Sequence, residues 1–349
     1  MNDETTPVRG INADSVSAWM TSEIPGAQGP FSFEPITGGH SNLTYKVTGA
    51  DSTPYVLRRP PLGSVLATAH DMGREHKIIS GVGQTKVPVP QALGLCEDAA
   101  VNDAPFYIMS YVDGVVPHDA ETVEAELADP NVRRKLSQSV VDVLADLHLA
   151  DPSEVGLGDL GRTEAYLDRQ LRRWSKQWEA SKTRELATMD QAFRLLTEAK
   201  PDQRYTGIVH GDYRLGNMLV DPIKGKVAAV LDWELCTLGD VMADIGYVLN
   251  NWIQPEDETI GEVTVSPTRA GGFFTREELV DAYAKATGFE VVNADYYRAF
   301  QYWRLGAIVE GVLARYEKGV MADDSVDPDE YRLRVESMAA SCLELLEGS

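Results

Sequence analysis

A chain of 349 residues allows about two domains, and its 43% hydrophobic and 25% charged residues exclude wholesale disorder, collagen-like repeats and a disulfide-stapled miniprotein. Its 32 basic and 54 acidic residues give a formal charge of −22, with no local basic stripe, which argues against nucleic acid as a partner. No apolar run is long enough for a membrane span, and the opening MNDETTPVRG lacks the basic-then-apolar pattern of a signal peptide. Cys96, Cys236 and Cys342 are scattered and odd in number, with no CxxC pair and no HExxH elsewhere. They read as reduced thiols of a cytoplasmic protein without a cysteine zinc site.

In chain order, residues 1–30 form a polar lead-in with one short helix over Ile11 to Met20. From Phe31, FSFEPITGGHSNLTYKVTG alternates apolar and polar residues around a turn at Gly38 and Gly39, and PYVLRRP adds a strand stopped by Pro60 and Pro61. A helix is expected from about Ala69 to Val82, with Met72, His76 and Ile79 on one face and Glu75 beside them. VPVPQALGLCE and PFYIMSYVDG read as two further strands. Beyond residue 112 the pattern turns helical. Leu136, Val140, Leu144 and Leu147 fall at helical spacing before His148, as do Leu167, Leu171, Trp174 and Trp178, and Val335, Ala339, Cys342 and Leu346. GIVHGDYRLGNMLVD and VAAVLDWELCTLGD read as short strands and loops within that helical body, and the stretch from Pro255 to Gly272 as a loop. The fold class is α+β, with a β-rich part over 31–112 and a mostly helical part over 113–349.

The stretch His210 to Asn217 carries the chemistry. Asp212 is followed five residues later by Asn217, and Asp232 comes fifteen residues after that. Phosphoryl transfer from ATP needs one carboxylate to orient the attacking hydroxyl and accept its proton. It also needs an amide oxygen and a second carboxylate to hold magnesium, a cation that prefers hard oxygen donors. Asp212 suits the first role, Asn217 and Asp232 the second. Alone, such a loop is most often an Asx turn with capping aspartates. The neighbours decide otherwise. The Gly38–Gly39 turn lets backbone amides approach phosphate, Arg58 offers a cation for the α- and β-phosphates, and Glu75 follows on a helix that can present a carboxylate to it. Arg59 has the opposite strand parity and faces away.

With these parts in order, the chain resembles the aminoglycoside phosphotransferase and choline kinase-like superfamily, from about Phe31 to the last helix. YVLRRPP, LADLHLADPSEVGLGDLGR, YLDRQLRRWSKQW, HGDYRLGNMLVD and DWELCTLGD are similar to bacterial phosphotransferase-family proteins that look like the kinase domain fused to some acyl-CoA dehydrogenases. The resemblance implies a protein-kinase-like, two-lobe fold with a nucleotide-binding N-lobe over 31–112. It implies a hinge at MSYVDG, with adenine read by the backbone near Ser110 to Val112. It implies ATP, with GTP open, and Mg2+ as cofactors, and a small hydroxylated molecule as the partner. His210 then props the catalytic loop, and Asp240 and Asp244 brace it or cap a helix. One departure is Arg58, where aminoglycoside and protein kinases usually place Lys, and Arg presents a planar fork instead of a point charge.

For the acceptor, a hydroxy acid or hydroxyacyl-CoA ranks above an aminoglycoside or other antibiotic. A pseudokinase that holds nucleotide and regulates a partner is the reading from another class, kept open by Arg58. A serine hydrolase lacks its G-x-S-x-G, and a protein kinase its A-P-E. Arg214 pairs with an acid or neutralises transferred phosphate, and Glu234 lines the cleft, supports the metal through water, or is equally a solvated strand-end carboxylate. Trp174 and Trp178 belong to an apolar core stripe, His148 to a helix end, and the acidic run Glu121 to Asp129 to the solvated surface.

Overall fold

The computed structural model describes residues 8–36, 42–62, 71–257, 266–319 and 327–348. The chain divides into two compact units. The first comprises Met1–Asp113, Val155–Leu157 and Ala228–Glu234, and the second Gly114–Glu154, Gly158–Val227 and Leu235–Ser349.

The first unit opens with α1 (Ala13–Glu23). It starts two residues later than the apolar pattern indicates, because the Asn12 side chain accepts the Ser15 N–H and caps it. Strands β1 (Ser32–Pro35), β2 (Leu43–Thr48), β3 (Pro54–Arg59), β4 (Ala92–Cys96) and β5 (Phe106–Ser110) form one antiparallel sheet in the order β1-β2-β3-β5-β4. Alternate residues of these strands face α1. Tyr45, Val47, Leu57, Phe106 and Ile108 meet Val16, Met20 and Ile24 in one apolar core. Each such fully buried side chain contributes about 1.5–3 kcal/mol. Helix and sheet touch so closely at Gly94 that a Cβ there would lie 2.6 Å from Ile24 Cδ1. The opposite sheet face carries Arg58, in register with Thr44 and Tyr107, and packs against α2 (Met72–Val82). Asp71 caps α2 by accepting the Arg74 N–H at 2.9 Å, which fixes its start three residues after the one expected; 63–70 lie outside the described residues. A one-turn helix, α3 (Ala99–Asn102), precedes β5.

The second unit is mostly helical. It contains α4 (Ala120–Glu126), α5 (Pro130–Leu149), α6 (Tyr166–Ser181), α7 (Ala187–Glu198), α8 (Met242–Asn251), α9 (Arg276–Thr287), α10 (Ala294–Glu317) and α11 (Pro328–Glu347). Its short strands are β6 (Thr206–Val209), β7 (Met218–Asp221) and β9 (Thr237–Asp240); β8 (Lys226–Val230) runs on into the first unit. β6 pairs antiparallel with β9, Ile208 opposite Leu238. α10 packs against α11, α8 and α6. The acidic run from Glu121 is solvent-exposed, as expected, and within it α4 is capped by Asp119, after which Asp129 caps α5. Of the loop expected from Pro255, 258–265 lie outside the described residues, and Pro267–Ala270 forms a 3-10 turn. An antiparallel sheet followed by a largely helical region is the α+β class expected from the sequence.

No described helix is long and apolar enough to cross a membrane. All three cysteines are buried, and burial pushes the Cys342 thiol up to about 12.

Candidate active site

In the second unit, β6 delivers the loop His210–Asn217. The loop takes its shape from a carboxylate behind it. Asp244, fully buried in the first turn of α8, accepts the N–H of His210 at Oδ2 (2.7 Å) and of Gly211 at Oδ1 (2.8 Å). His148 Nε2 lies 3.2 Å from the same Oδ2, and its Nδ1 2.6 Å from the Tyr283 hydroxyl, so this histidine is satisfied at both nitrogens. Burial pushes Asp244 up, but the His148 hydrogen bond and the loop amides outweigh it and hold its pKa below the usual carboxylate value. Gly211 adopts φ +83°, and a Cβ there would lie 2.9 Å from the Leu235 carbonyl, so the turn needs glycine. Its carbonyl accepts both terminal guanidinium nitrogens of buried Arg304, each at 3.0 Å. His210 is buried, and its Nδ1 accepts the Asp212 N–H at 3.1 Å. It therefore props the loop from within. Asp240 is likewise buried, accepting the Tyr297 hydroxyl at 2.6 Å and the Met242 N–H at 3.1 Å.

The Asp212 carboxylate is held at both oxygens. Asn217 Nδ2 donates to Oδ2 at 2.6 Å and to the Asp212 carbonyl at 2.9 Å. The Tyr247 hydroxyl donates to Oδ1, and Arg214 Nε lies 3.5 Å from that oxygen. Both Asn217 bonds use Nδ2, so its Oδ1 takes no part in holding Asp212. Burial, and then the charge on Asp212, pushes Tyr247 far above its ordinary pKa, so it stays a neutral donor.

In the first unit, Arg58 Nε lies 2.9 Å from Glu75 Oε1 and Nη2 lies 2.7 Å from Asp232 Oδ1. Glu75 also hydrogen-bonds to the Tyr107 hydroxyl. Burial works against the Arg58 charge, but Glu75 and the other acids hold its pKa above its ordinary value. Burial pushes Glu75 up, with Arg58 opposing. Asp232 has φ +64°, the left-handed region that Asp tolerates better than most side chains. Arg59 points to the other face of the sheet. It is buried and donates to the carbonyls of Gly10, Asn102 and Pro60.

Ser110 ends β5 and exchanges two hydrogen bonds with Gln91, N–H to carbonyl and N–H to Oγ, both 2.9 Å; Val112 follows, half-buried. Gly38 and Gly39 lie outside the described residues. Trp174 and Trp178 are buried on the apolar face of α6. Among the described residues, no group of three or more His, Cys, Asp or Glu is placed to hold a metal ion. Sequence reasoning missed Tyr247, Arg304 and Tyr107. The signal for Tyr247 was its place one helical turn after Asp244, which puts both on one face of α8.

An antiparallel sheet with a cation held by a helix carboxylate, and a braced Asp-to-Asn loop in a helical region, define a kinase-like fold. The chain belongs to the APH phosphotransferase enzyme family, whose model matches residues 32–299. It is 34% identical to mouse acyl-CoA dehydrogenase family member 10 over 318 residues, covering 89% of this chain and 29% of that protein. It is 31% identical to chicken acyl-CoA dehydrogenase family member 11 over 342 residues, covering 95% of this chain and 43% of that protein. The chain thus spans less than half the length of these relatives. Among solved structures, a Ralstonia eutropha protein assigned by name only to the aminoglycoside phosphotransferases superposes with TM-score 0.82 at 31% identity, covering 97% of this chain and 98% of that one. Two others share the fold at 15% identity. They are the GDP complex of aminoglycoside 2'-phosphotransferase-IIIa (TM-score 0.57, 97% of this chain, 98% of that one) and ADP-bound aminoglycoside phosphotransferase APH(2'')-Ib (TM-score 0.54, 96% and 99%).

Proposed function

We propose that this protein is an ATP- and Mg2+-dependent O-phosphotransferase acting on an alcohol hydroxyl of a small molecule. The observation that carries the proposal is the Asp212 carboxylate, gripped at both oxygens on a loop whose Gly211 peptide is bound at its N–H by Asp244 and at its carbonyl by Arg304. Such rigid positioning is what phosphoryl transfer requires of its protein.

Each residue takes one part. Asp212 orients the acceptor hydroxyl and takes its proton as the hydroxyl oxygen bonds to the γ-phosphorus and the β–γ bridging oxygen departs with ADP. Asn217 and Asp232 fit magnesium by donor chemistry, one amide oxygen and one carboxylate, both hard. Held by donors of this kind, magnesium would neutralise phosphate charge. Arg58, held by Glu75, takes the α- and β-phosphates. Ser110 and Val112 read the base through the backbone. ADP and GDP in proteins of this fold support a purine nucleotide, and calorimetry with Mg·ATP against Mg·GTP decides which.

Similarity to acyl-CoA dehydrogenase family members supports a hydroxy acid or hydroxyacyl-CoA as acceptor, with an aminoglycoside as rival. The test is a turnover panel with Asp212→Ala. Nucleotide binding survives in the variant while transfer falls by orders of magnitude; unchanged transfer refutes the proposal. A nucleotide-holding binding module is the second reading, favoured by the engagement of Asp232 with Arg58, and nucleotide binding with no transfer to any acceptor supports it.

A further inference from the structure

We infer that Tyr247 is a positioning residue for phosphoryl transfer, its hydroxyl setting the plane of the Asp212 carboxylate. The inference rests on the proposed role of Asp212 and adds a residue to it.

A carboxylate held at one oxygen turns freely about its Cβ–Cγ bond, and one held at both does not. Asn217 secures Oδ2 from within the loop. Oδ1 is secured from a different element, by Tyr247 on α8. Arg214 approaches the same oxygen at only 3.5 Å, and its side chain is 42% exposed, so it holds Oδ1 weakly. Tyr247 is well fixed for this purpose. It lies one helical turn past Asp244, which ties α8 to the loop amides, and the Arg304 guanidinium sits 5.9 Å from the centre of its ring. The same arginine binds the Gly211 carbonyl. Helix, loop and carboxylate are thus locked in one frame. A phenol that remains neutral directs the carboxylate without adding charge beside it.

A tyrosine that only filled space would give a silent Tyr247→Phe variant. The experiment compares wild type, Tyr247→Phe and Asp212→Asn with Mg·ATP, using 3-hydroxybutyryl-CoA, kanamycin and water as acceptors. Tyr247→Phe is expected to lose about ten- to hundredfold in kcat, with acceptor KM and nucleotide Kd within about twofold of wild type. It should also yield less phosphorylated acceptor per ADP released. A kcat within about twofold of wild type, or losses shared by KM and Kd, overturns the inference. Should Tyr247→Phe prove unfolded at the assay temperature, Tyr247→His, which keeps a ring donor, must restore part of kcat for the inference to stand. Wild-type turnover in Asp212→Asn sinks the catalytic reading itself. An inactive Asp212→Asn beside a normal Tyr247→Phe sinks only the inference, and a wild type inert on all three acceptors sinks both.

Discussion

Arg304 and Gly211 are 93 residues apart in sequence, yet both terminal nitrogens of the guanidinium lie 3.0 Å from one peptide oxygen. A lysine keeps the charge but cannot reproduce that fork. Arg304→Lys is expected to cost about 1.5–3 kcal/mol in urea unfolding, the worth of a charge-assisted hydrogen bond. Turnover should fall about tenfold, because the loop carrying Asp212 gains freedom.

Asp244 joins two loop amides to His148 in a fully buried cluster. Asp244→Ala leaves those donors unpaired and should cost about 2–4 kcal/mol. The pH dependence follows from the carboxyl's lowered pKa. Its folded value lies below its unfolded one, so its stabilisation is complete above the ordinary Asp value of 3.8 and is lost as pH falls through the folded value. The stability gap between wild type and Asp244→Ala should therefore be constant from about pH 7 to pH 5 and shrink below about pH 4. Urea titrations at each pH measure it.

Gly211→Ala tests the turn itself. With φ at +83° and the Leu235 carbonyl 2.9 Å from the new Cβ, the backbone must shift. A loss of about 1–3 kcal/mol is expected, with turnover reduced more than nucleotide affinity. Urea unfolding and calorimetry with Mg·ATP measure the two.

Arg58 tests the first unit. The Arg58 and Glu75 side chains are 15% and 4% exposed, so Arg58→Met strands a buried carboxylate and should cost about 3–5 kcal/mol. Arg58→Met with Glu75→Met should recover most of that stability, since two apolar side chains replace a buried pair at little cost. Nucleotide affinity, by contrast, should stay low in the double variant. Recovery of both would remove Arg58 from the phosphate role.

The local parts of this architecture are legible in the sequence because they obey short periods. Alternation in PYVLRR puts Arg58 and Arg59 on opposite faces, and the structure holds them there. Glu75 follows on a helix that packs on the Arg58 face, and the Asp212-to-Asn217 contact is closed within one loop. Arg304 reaches the loop across 93 residues with no local period to announce it, and Tyr247 reaches it across 35, marked only by its place one turn after Asp244 on α8. The start of α1 departs from the apolar pattern, which begins at Ile11, one residue before the Asn12 cap that fixes the helix. α4 was hidden because its acidic, solvent-facing residues leave only Val123 buried.

The two neighbouring arginines of β3 make this strand intolerant of length change. Deleting or adding one residue between Tyr55 and Leu57 would exchange them, sending the partner of Glu75 into the oily side under α1 and the tether of Gly10 toward α2. Charge, composition and strand propensity would hardly change. Homologues that diverge freely in the turns flanking β3 should nonetheless keep its residue count, and grafts of this lobe should be joined outside Pro54–Arg59.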